Sequence, residues 1–355
     1  MRSRSLAGQN ILHAVNVHQG GGRSLLLALL AESDESRVRW AFALLDDRLV
    51  ADSDIMKGCN VRRYRPTVLS RLRAEWWLYR NIGKNDTVFC FGNLPPIFSL
   101  QGRVVVYVQN RYLIEDRNLS GFAFKVKLRL FLERLWLKIR INNIDEYMVQ
   151  TPSMKFLMER HVSRSSVVSI KPFIADAICY QRSNGQKRSP SNRKPVFLYV
   201  ASAEPHKNHK VLIDAWCLLA EEGLNLKLLL TFDEVSFFDV ADYLRLQTVN
   251  SSLNIQNLGS MSHSSIIDLY HQVDALIYPS KFESFGLPLI EARQAGLDIL
   301  APEMDYVRDL IDPEAAFDPS SAVSIAKSVK RYIGVIEKPL RITSAKELLS
   351  SVLNN

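Results

Sequence analysis

The sequence predicts an α/β protein built from two doubly wound, Rossmann-like domains that face each other across a cleft. Short apolar, β-rich runs alternate with longer helical patterns from one end to the other, the rhythm of βα units and parallel sheets. A length of 355 residues suggests two domains, at roughly 100 to 200 residues each. Near the middle, QRSNGQKRSPSNRKP at 181 to 195 is polar, carries Gly and two Pro, and cannot continue either sheet.

Taken in order, strands are expected at ILHAVNV (11 to 17), VRWAFALL (38 to 45), TVFCFG (87 to 92), VVVYVQ (104 to 109) and YMVQ (147 to 150). The pattern repeats at VFLYVA (196 to 201), LKLLLTF (226 to 232), NIQNLG (254 to 259), ALIYPS (275 to 280) and LDILAP (297 to 302). The first domain then covers 1 to 180, the linker 181 to 195 and the second domain 196 to 335, with 336 to 355 a closing helix able to pack back on the first domain. Ligands of such sheets sit at the carboxyl ends of the strands.

Composition narrows the class. At 47% hydrophobic and 23% charged, the chain has the profile of a globular protein rather than a disordered one. Cys59, Cys90, Cys179 and Cys217 form no C-x-x-C pair, so neither a zinc site nor a disulfide framework is indicated, and a cytoplasmic setting is expected. The longest apolar run, LLLALLA at 25 to 31, is short of the roughly 18 residues of a spanning helix. The stretch after the N-terminal MRSR is too polar for a signal peptide. Charge is uneven: residues 1 to 190 hold 30 Lys and Arg against 16 Asp and Glu, whereas 191 to 355 hold 15 against 21. An anionic partner of the first half is one reading of this, and plain surface charge is the other.

The stretch KFESFGLPLIEA, 281 to 292, places Glu283 on a loop at a strand's carboxyl end and Glu291 one turn into the following helix. Pro288 suits the first helical turn, where its missing N–H would have no intrahelical partner. The amides of Phe285, Gly286 and Leu287, with Ser284 beside them, are therefore expected at the positive end of a helix dipole, ready for an anion. Gly286 lets a diphosphate approach the backbone. Two carboxylates beside an anion site repel phosphate but accept hydrogen bonds from hydroxyls, so they suit the two polyol ends of a nucleotide sugar.

Here the sequence resembles the retaining GT-B glycosyltransferases of family 4, the glycosyl transferases group 1. ESFGLPLIE is similar to that family's E-x7-E motif, LGSMSHSSIIDLYHQVDALIYPS to the run that precedes it, and DYVRDLIDPEAAFDP to the closing βα unit. The resemblance is strong over about 195 to 330 and weak in the first half. It implies that Glu283 binds hydroxyls of the donor sugar, that Ser284, Phe285, Gly286 and Leu287 hold sugar and diphosphate, and that Glu291 binds the ribose. It implies that Lys207, in EPHKNHK, neutralises the diphosphate as it leaves, an electrostatic role in which a fixed cation lowers the barrier. NVHQGGGRS, with Gly21 and Gly22, is similar to the family's glycine-rich loop, and three glycines opening a helix can form a backbone anion nest.

Two departures stand out. Ala201 and Ser202 occupy the place of the family's Gly-Arg pair, which removes one diphosphate cation. VYVQNRYL offers Gln109, Asn110 and Arg111 where the family often has His. Asn110 could face the anomeric carbon, and Arg111 or Arg23 could supply the lost charge to phosphate or acceptor. His18, His206 and His209 also lie near loops, where such residues are more often ordinary surface groups.

GFAFKVKLRLFLERLWLKIRI, 121 to 141, carries two apolar stripes if helical: Leu128, Leu132, Leu135 and Ile139 on one side, and Val126, Leu130, Leu137 and Ile141 nearly opposite. Arg129 and Arg140 flank one side, and Lys127, Arg134 and Lys138 the other. One stripe packing on the domain while the other meets an anionic bilayer is one reading; a helix buried on two sides, or a strand at 124 to 130, are the others. RRYRPTVLSRLRAEWWLYR, 62 to 80, adds cations with Trp76, Trp77 and Tyr79, types favoured at bilayer interfaces. No nucleic-acid recognition motif is present.

The expectation is a cytoplasmic, peripherally membrane-associated retaining glycosyltransferase. It moves a hexose from a nucleoside diphosphate, of UDP or GDP type, to a lipid-linked or saccharide acceptor in bacterial surface polysaccharide assembly. No cofactor and no metal is expected, since no D-x-D pair sits at a strand end, Asp52 and Asp54 lying in a loop-like stretch. The rival readings are a non-catalytic GT-B subunit that binds nucleotide or scaffolds a complex and, more weakly, a phosphorylase or nucleotide-sugar hydrolase.

Overall fold

The computed structural model describes residues 8–35, 40–51, 59–115, 119, 122–162, 166–173, 194–251 and 253–335. Cys179, the Asp52 and Asp54 pair, the expected linker as far as residue 193 and the expected helix at 336–355 lie outside the described residues.

The first sheet contains β1 (Asn10–Ala14), β2 (Phe42–Asp46), β3 (Asn60–Tyr64), β4 (Thr87–Cys90), β5 (Arg103–Val108), β6 (Glu146–Val149) and β7 (Val167–Ile170), with helices α1 (Gly20–Glu35), α2 (Val68–Asn81), α3 (Phe124–Arg140) and α4 (Pro152–Glu159) between them. The second sheet contains β8 (Val196–Tyr199), β9 (Lys227–Leu230), β10 (Ile255–Asn257), β11 (Ala275–Ile277), β12 (Asp298–Pro302) and β13 (Ala315–Phe317). Its helices are α5 (His209–Glu221), α6 (Phe238–Ser251), α7 (His263–Tyr270), α8 (Leu287–Gln294), α9 (Asp305–Arg308) and α10 (Ala322–Tyr332).

The strand orders are β3-β2-β1-β4-β5-β6-β7 and β10-β9-β8-β11-β12-β13, and the pairings are parallel. Both sheets therefore reverse direction once, between β1 and β4 in one and between β8 and β11 in the other. Parallel sheets are covered on both faces, which is why their central strands read as continuous apolar runs such as VVVYV and VFLY. Alternation along β1 sends Leu12 and Ala14 to the face covered by α1, and Ile11 to the face covered by α2, α3 and α4.

β3 and β7 were not foreseen. Both lie at sheet edges, and the NVRRY of β3 has no fully buried residue, so its strand character comes from pairing with β2 rather than from its own hydrophobicity. Thr67 and Thr151 open α2 and α4 by accepting from the amides of Ser70 and Met154, both at 3.2 Å.

The segment 124–140 is a helix rather than a strand, and it is buried on one side only. Leu130 and Leu137 are buried, while Leu128, Leu132, Leu135 and Ile139 are exposed, joined by Phe124 and Phe131. Two of its expected flanking cations turn inward: Arg134 donates to the carbonyls of Tyr112 and Glu115 at 2.7 and 2.9 Å, and Arg140 to Ser99 Oγ at 2.9 Å. Among the described residues, no helix is long and apolar enough to cross a membrane.

Trp216 fixes α5 to the second sheet. It is 2% exposed, stands edge-on to Phe197 with centroids 5.5 Å apart, and donates through Nε1 to the Leu226 carbonyl at 2.9 Å. Trp216→Ala should lower stability by about 3–5 kcal/mol, read from urea unfolding of the full chain, because the cavity cannot close around so large a deletion.

Candidate functional site

The loops leaving β1, β4 and β5 meet those leaving β8 and β11, so the two points of strand reversal face each other. Between them lies a cavity of about 360 Å³, lined on one side by the loop at Asn16–Gln19 with Gly22, Asn93, Gln109, Asn110, Tyr112 and Arg129, and on the other by His206, Phe282, Glu283 and Ser284.

On the second-domain side, two loops are stitched into one unit. Asn208 adopts the left-handed conformation at φ 66°, and its Nδ2 donates to the carbonyls of Pro279 and Pro319 at 3.2 and 2.6 Å. The amide of Lys281 donates to the His206 carbonyl at 2.8 Å. Three buried tyrosines support these loops from below. Tyr199 donates to the Lys207 carbonyl at 2.7 Å, Tyr278 to Glu283 Oε1 at 2.9 Å, and Tyr306 to the Ser280 carbonyl at 2.8 Å. The result sets Lys207 Nζ 2.5 Å from Glu283 Oε1.

Burial alone would push the Glu283 carboxyl up, but the charge of Lys207, then that of His206 where protonated, and hydrogen bonds from Lys207 and Ser280 outweigh it and hold the group below the usual glutamate range. Burial, followed by the Glu283 charge, pushes the Tyr278 phenol far up, so it remains a neutral donor. His206 is pushed down by burial and by Lys207. His209, packed below, is pushed down to about 3 by burial, then by Lys207 and His206, and stays uncharged.

On the first-domain side, Asn93 also adopts a left-handed conformation, at φ 69°, and its Oδ1 accepts from the amides of Gln109 and Asn110 at 2.6 and 2.8 Å. Asn16 donates to the Gly92 carbonyl at 2.8 Å. These bonds fix the ends of β1, β4 and β5 relative to one another. Gly21, at the start of α1, faces Leu287 at the start of α8: a Cβ there would lie 3.0 Å from Leu287 Cδ1. Two helix N-termini thus converge on the cleft, and their dipoles add at its centre. Gly286, at φ 74°, supplies the turn into α8 that Pro288 continues.

Of the residues singled out from sequence, His18, Gly22, Gln109, Asn110, Arg129, His206, Glu283 and Ser284 line the cavity, and Lys207 joins through Glu283; His18 and His206 are thus wall residues and His209 is buried, not the ordinary surface groups expected. The Asn110 side chain accepts from the Tyr112 amide at 3.1 Å. Phe285 is buried. Ser202 donates to Glu204 Oε2, so its hydroxyl is held within its own loop. Arg23 reaches the Val50 carbonyl at 3.1 Å, away from the cavity. Arg111 is 5% exposed and binds Asp305 and Glu115, so it does not stand in for the missing cation. Glu291 faces α7, where it accepts from His263 Nε2 and Tyr270 Oη, each at 3.1 Å.

Asn16, Asn93, Asn208, Tyr112 and Phe282 were passed over, and Arg129 was read only as a flanking cation of the 121–141 helix. The asparagines carried one legible signal, a polar residue capable of left-handed geometry just past an apolar strand or before a helix. Tyr112 and Phe282, with centroids 4.3 Å apart, meet only because the domains face each other.

Residues 181–347 match the family model described as glycosyl transferases group 1. The second domain is a glycosyl transferases group 1 domain. Relatives of this chain include the serotype-specific mannosyltransferase WbdA of Escherichia coli, 30% identical over 148 residues, or 41% of this chain and 18% of WbdA. The O-antigen chain mannosyltransferase B of Escherichia coli is 26% identical over 187 residues, or 47% of this chain and 48% of that protein. The chain thus spans less than half the length of these relatives. Among solved structures, Anabaena HepE in complex with UDP and glucose aligns with a TM-score of 0.65 at 15% identity, covering 92% of this chain and 90% of HepE. WaaG, a glycosyltransferase involved in lipopolysaccharide biosynthesis, aligns at 0.64 with 16% identity, covering 92% of each chain. At such identities the likeness shows the fold, which is GT-B.

In this group 1 domain, His263 is pushed above its ordinary 6.5 by the hydrogen bond it donates to Glu291 and by the Glu291 charge, against opposing burial. A raised folded-state pKa means that the contact stabilises fully below the unfolded value and that the contribution is lost as pH rises through the folded one. An NMR titration of the full chain should place the His263 midpoint above 6.5, and Glu291→Gln should lower it. A midpoint that ignores Glu291→Gln would remove the pairing.

Proposed function

We propose that the protein transfers a hexose, with retention of configuration, from a nucleoside-diphosphate sugar of UDP or GDP type to a saccharide or lipid-linked acceptor in bacterial surface polysaccharide assembly. The observation that carries this reading is the Lys207–Glu283 pair, preorganised at 2.5 Å at the reversal point of the second sheet and facing the first domain's loops across the cavity. The mannosyltransferase names of the relatives and the UDP and glucose bound in the fold's neighbour support the substrate class.

In this reading the donor parts the pair. Its diphosphate takes Lys207 and the two converging helix N-termini, and its sugar hydroxyls take the carboxylate of Glu283. Negative charge grows on the diphosphate as the glycosidic bond to it breaks. An ammonium already held in place stabilises that charge without reorganising at the moment of reaction. Glu291, held by His263 and Tyr270, would bind the ribose from the α7 side. No metal or other cofactor takes part, and EDTA should leave turnover unchanged.

Glu283→Gln should lower kcat about tenfold or more, since a hydrogen bond to a charged acceptor contributes roughly 1.5–3 kcal/mol. Lys207→Ala should lower it on the order of 10² to 10³. Both are read by nucleoside-diphosphate release with purified acceptor, alongside calorimetric binding of the nucleoside diphosphate alone. Because the place of the family arginine is held by Ser202, whose hydroxyl is engaged by Glu204, a non-catalytic nucleotide-binding subunit is the second reading. Nucleotide binding with no turnover and no dependence on Lys207 would favour it.

The same proposal seats the first domain on an anionic membrane at the cytoplasmic face. The exposed stripe of α3 carries Phe131, Leu132 and Ile139 at 63%, 54% and 68% exposure, with Lys125, Lys127 and Lys138 exposed beside them. Trp76 and Tyr79 of α2, exposed and in contact with each other and with Phe98, extend the surface. Arg134, turned inward, is not one of the lipid contacts. Replacing Lys125, Lys127 and Lys138 together by Gln should weaken sedimentation with anionic vesicles. Each basic group contributes about 1 kcal/mol near such a surface, screened over roughly 10 Å at 0.1 M salt. Equal recovery with neutral vesicles would sink the membrane part alone.

A further inference from the structure

Several contacts between the domains converge on Arg111. It opens the short 3-10 turn Arg111–Leu113 just past β5. Its amide donates to Ser284 Oγ at 2.8 Å, beside Glu283. Its Nη1 and Nη2 donate to Asp305 Oδ1 and Oδ2 at 3.1 and 2.7 Å, a two-pronged pair. Its Nε donates to Glu115 Oε2 at 2.5 Å, which sets the plane of the fork. The guanidinium carbon lies 5.2 Å from the ring centroid of Phe282.

We propose that Arg111 is a positioning residue. It clamps the loop carrying Glu283 to the first domain, and so sets the width of the cleft before either substrate enters. The inference rests on the transfer reading, in which the donor lies on one domain and the acceptor on the other. A misplacement of about 1 Å between reacting groups costs on the order of 10²-fold in rate, so whichever contact fixes the spacing of the domains bears on turnover. Other bridges exist: Leu287 against Gly21 is apolar and without direction, and the Ser153 amide donates to Asp309 Oδ2 at 3.0 Å, far along the chain from the glutamate loop. Arg111 grips both that loop, through Ser284, and α9, through Asp305.

Burial decides why this pair matters where surface pairs do not. The Arg111 side chain is 6% exposed, so removing Asp305 leaves the two prongs of a desolvated fork without their carboxylate, with only Glu115 at Nε. Asp305 is 41% exposed and reaches water when the domains part, which lets the clamp open without stranding a carboxylate. A lysine cannot reproduce the planar, two-pronged grip.

The test uses the full chain. Arg111→Ala and Asp305→Asn should each lower kcat on the order of tenfold to 10²-fold. Affinity for nucleoside diphosphate alone should stay within about threefold of the wild type, a loss in kcat rather than in ground-state binding. The double substitution should be no slower than the slower single one, because both break one contact. Arg111→Lys should restore turnover only in part. Independently of turnover, Arg111→Ala without substrate should show a larger radius of gyration by small-angle scattering, and faster hydrogen exchange across 281–286. Unchanged scattering and exchange, or additive losses in the double variant, overturn the proposal. Opened domains in a protein that transfers no sugar support the clamp and overturn the transfer reading. Should Arg111→Ala fail to fold, Asp305→Asn, altered at a half-open carboxylate, carries the same comparisons.

Discussion

A single reversal of strand order in each sheet is the constraint on which this molecule depends. On either side of a reversal, the chain leaves neighbouring strands toward opposite faces of the sheet, so the loops diverge and leave a crevice at the carboxyl edge. One crevice, between β8 and β11, holds Lys207 and Glu283; the other, between β1 and β4, holds Asn16, Gly92 and Asn93. Facing each other they make a cavity, and the chemistry at its wall follows from which loops the topology delivers there.

Within that cavity, charge is balanced by pairing in place. Burial against Tyr199, Tyr278 and Tyr306 disfavours an isolated carboxylate, and Lys207 more than offsets this at Glu283. The neutral phenols and the uncharged His209 add dipoles without adding charge. An entering anion thus meets an ammonium that has already been desolvated and oriented, with a carboxylate whose partner it can take over.

Much of the fold was legible because it rests on local pattern. Continuous apolar runs marked the buried parallel strands, and Pro288 with Gly286 marked the opening of α8. β3 and β7 were not legible, since an edge strand is defined by its neighbour. At the site, the E-x7-E spacing and Lys207 were readable as a resemblance. The asparagine stitches were not, because Asn208 binds Pro319, 111 residues away, and no local pattern encodes that. Arg111 was read as a spare cation for phosphate. Its partner Asp305 lies 194 residues on, and only the meeting of the two domains brings them together.

One side chain of α3 ties the outer surface of the protein to its centre. Arg134, on the flank between the exposed leucines and the buried face of the helix, holds the carbonyls of Tyr112, in the turn that begins at Arg111, and of Glu115 just beyond it. The helix and the turn are therefore mechanically in series. A tilt of α3 would pull first on those two carbonyls, so the helix and the Arg111 turn share one support. On such a path, whatever surface the helix rests on becomes part of the machine's frame.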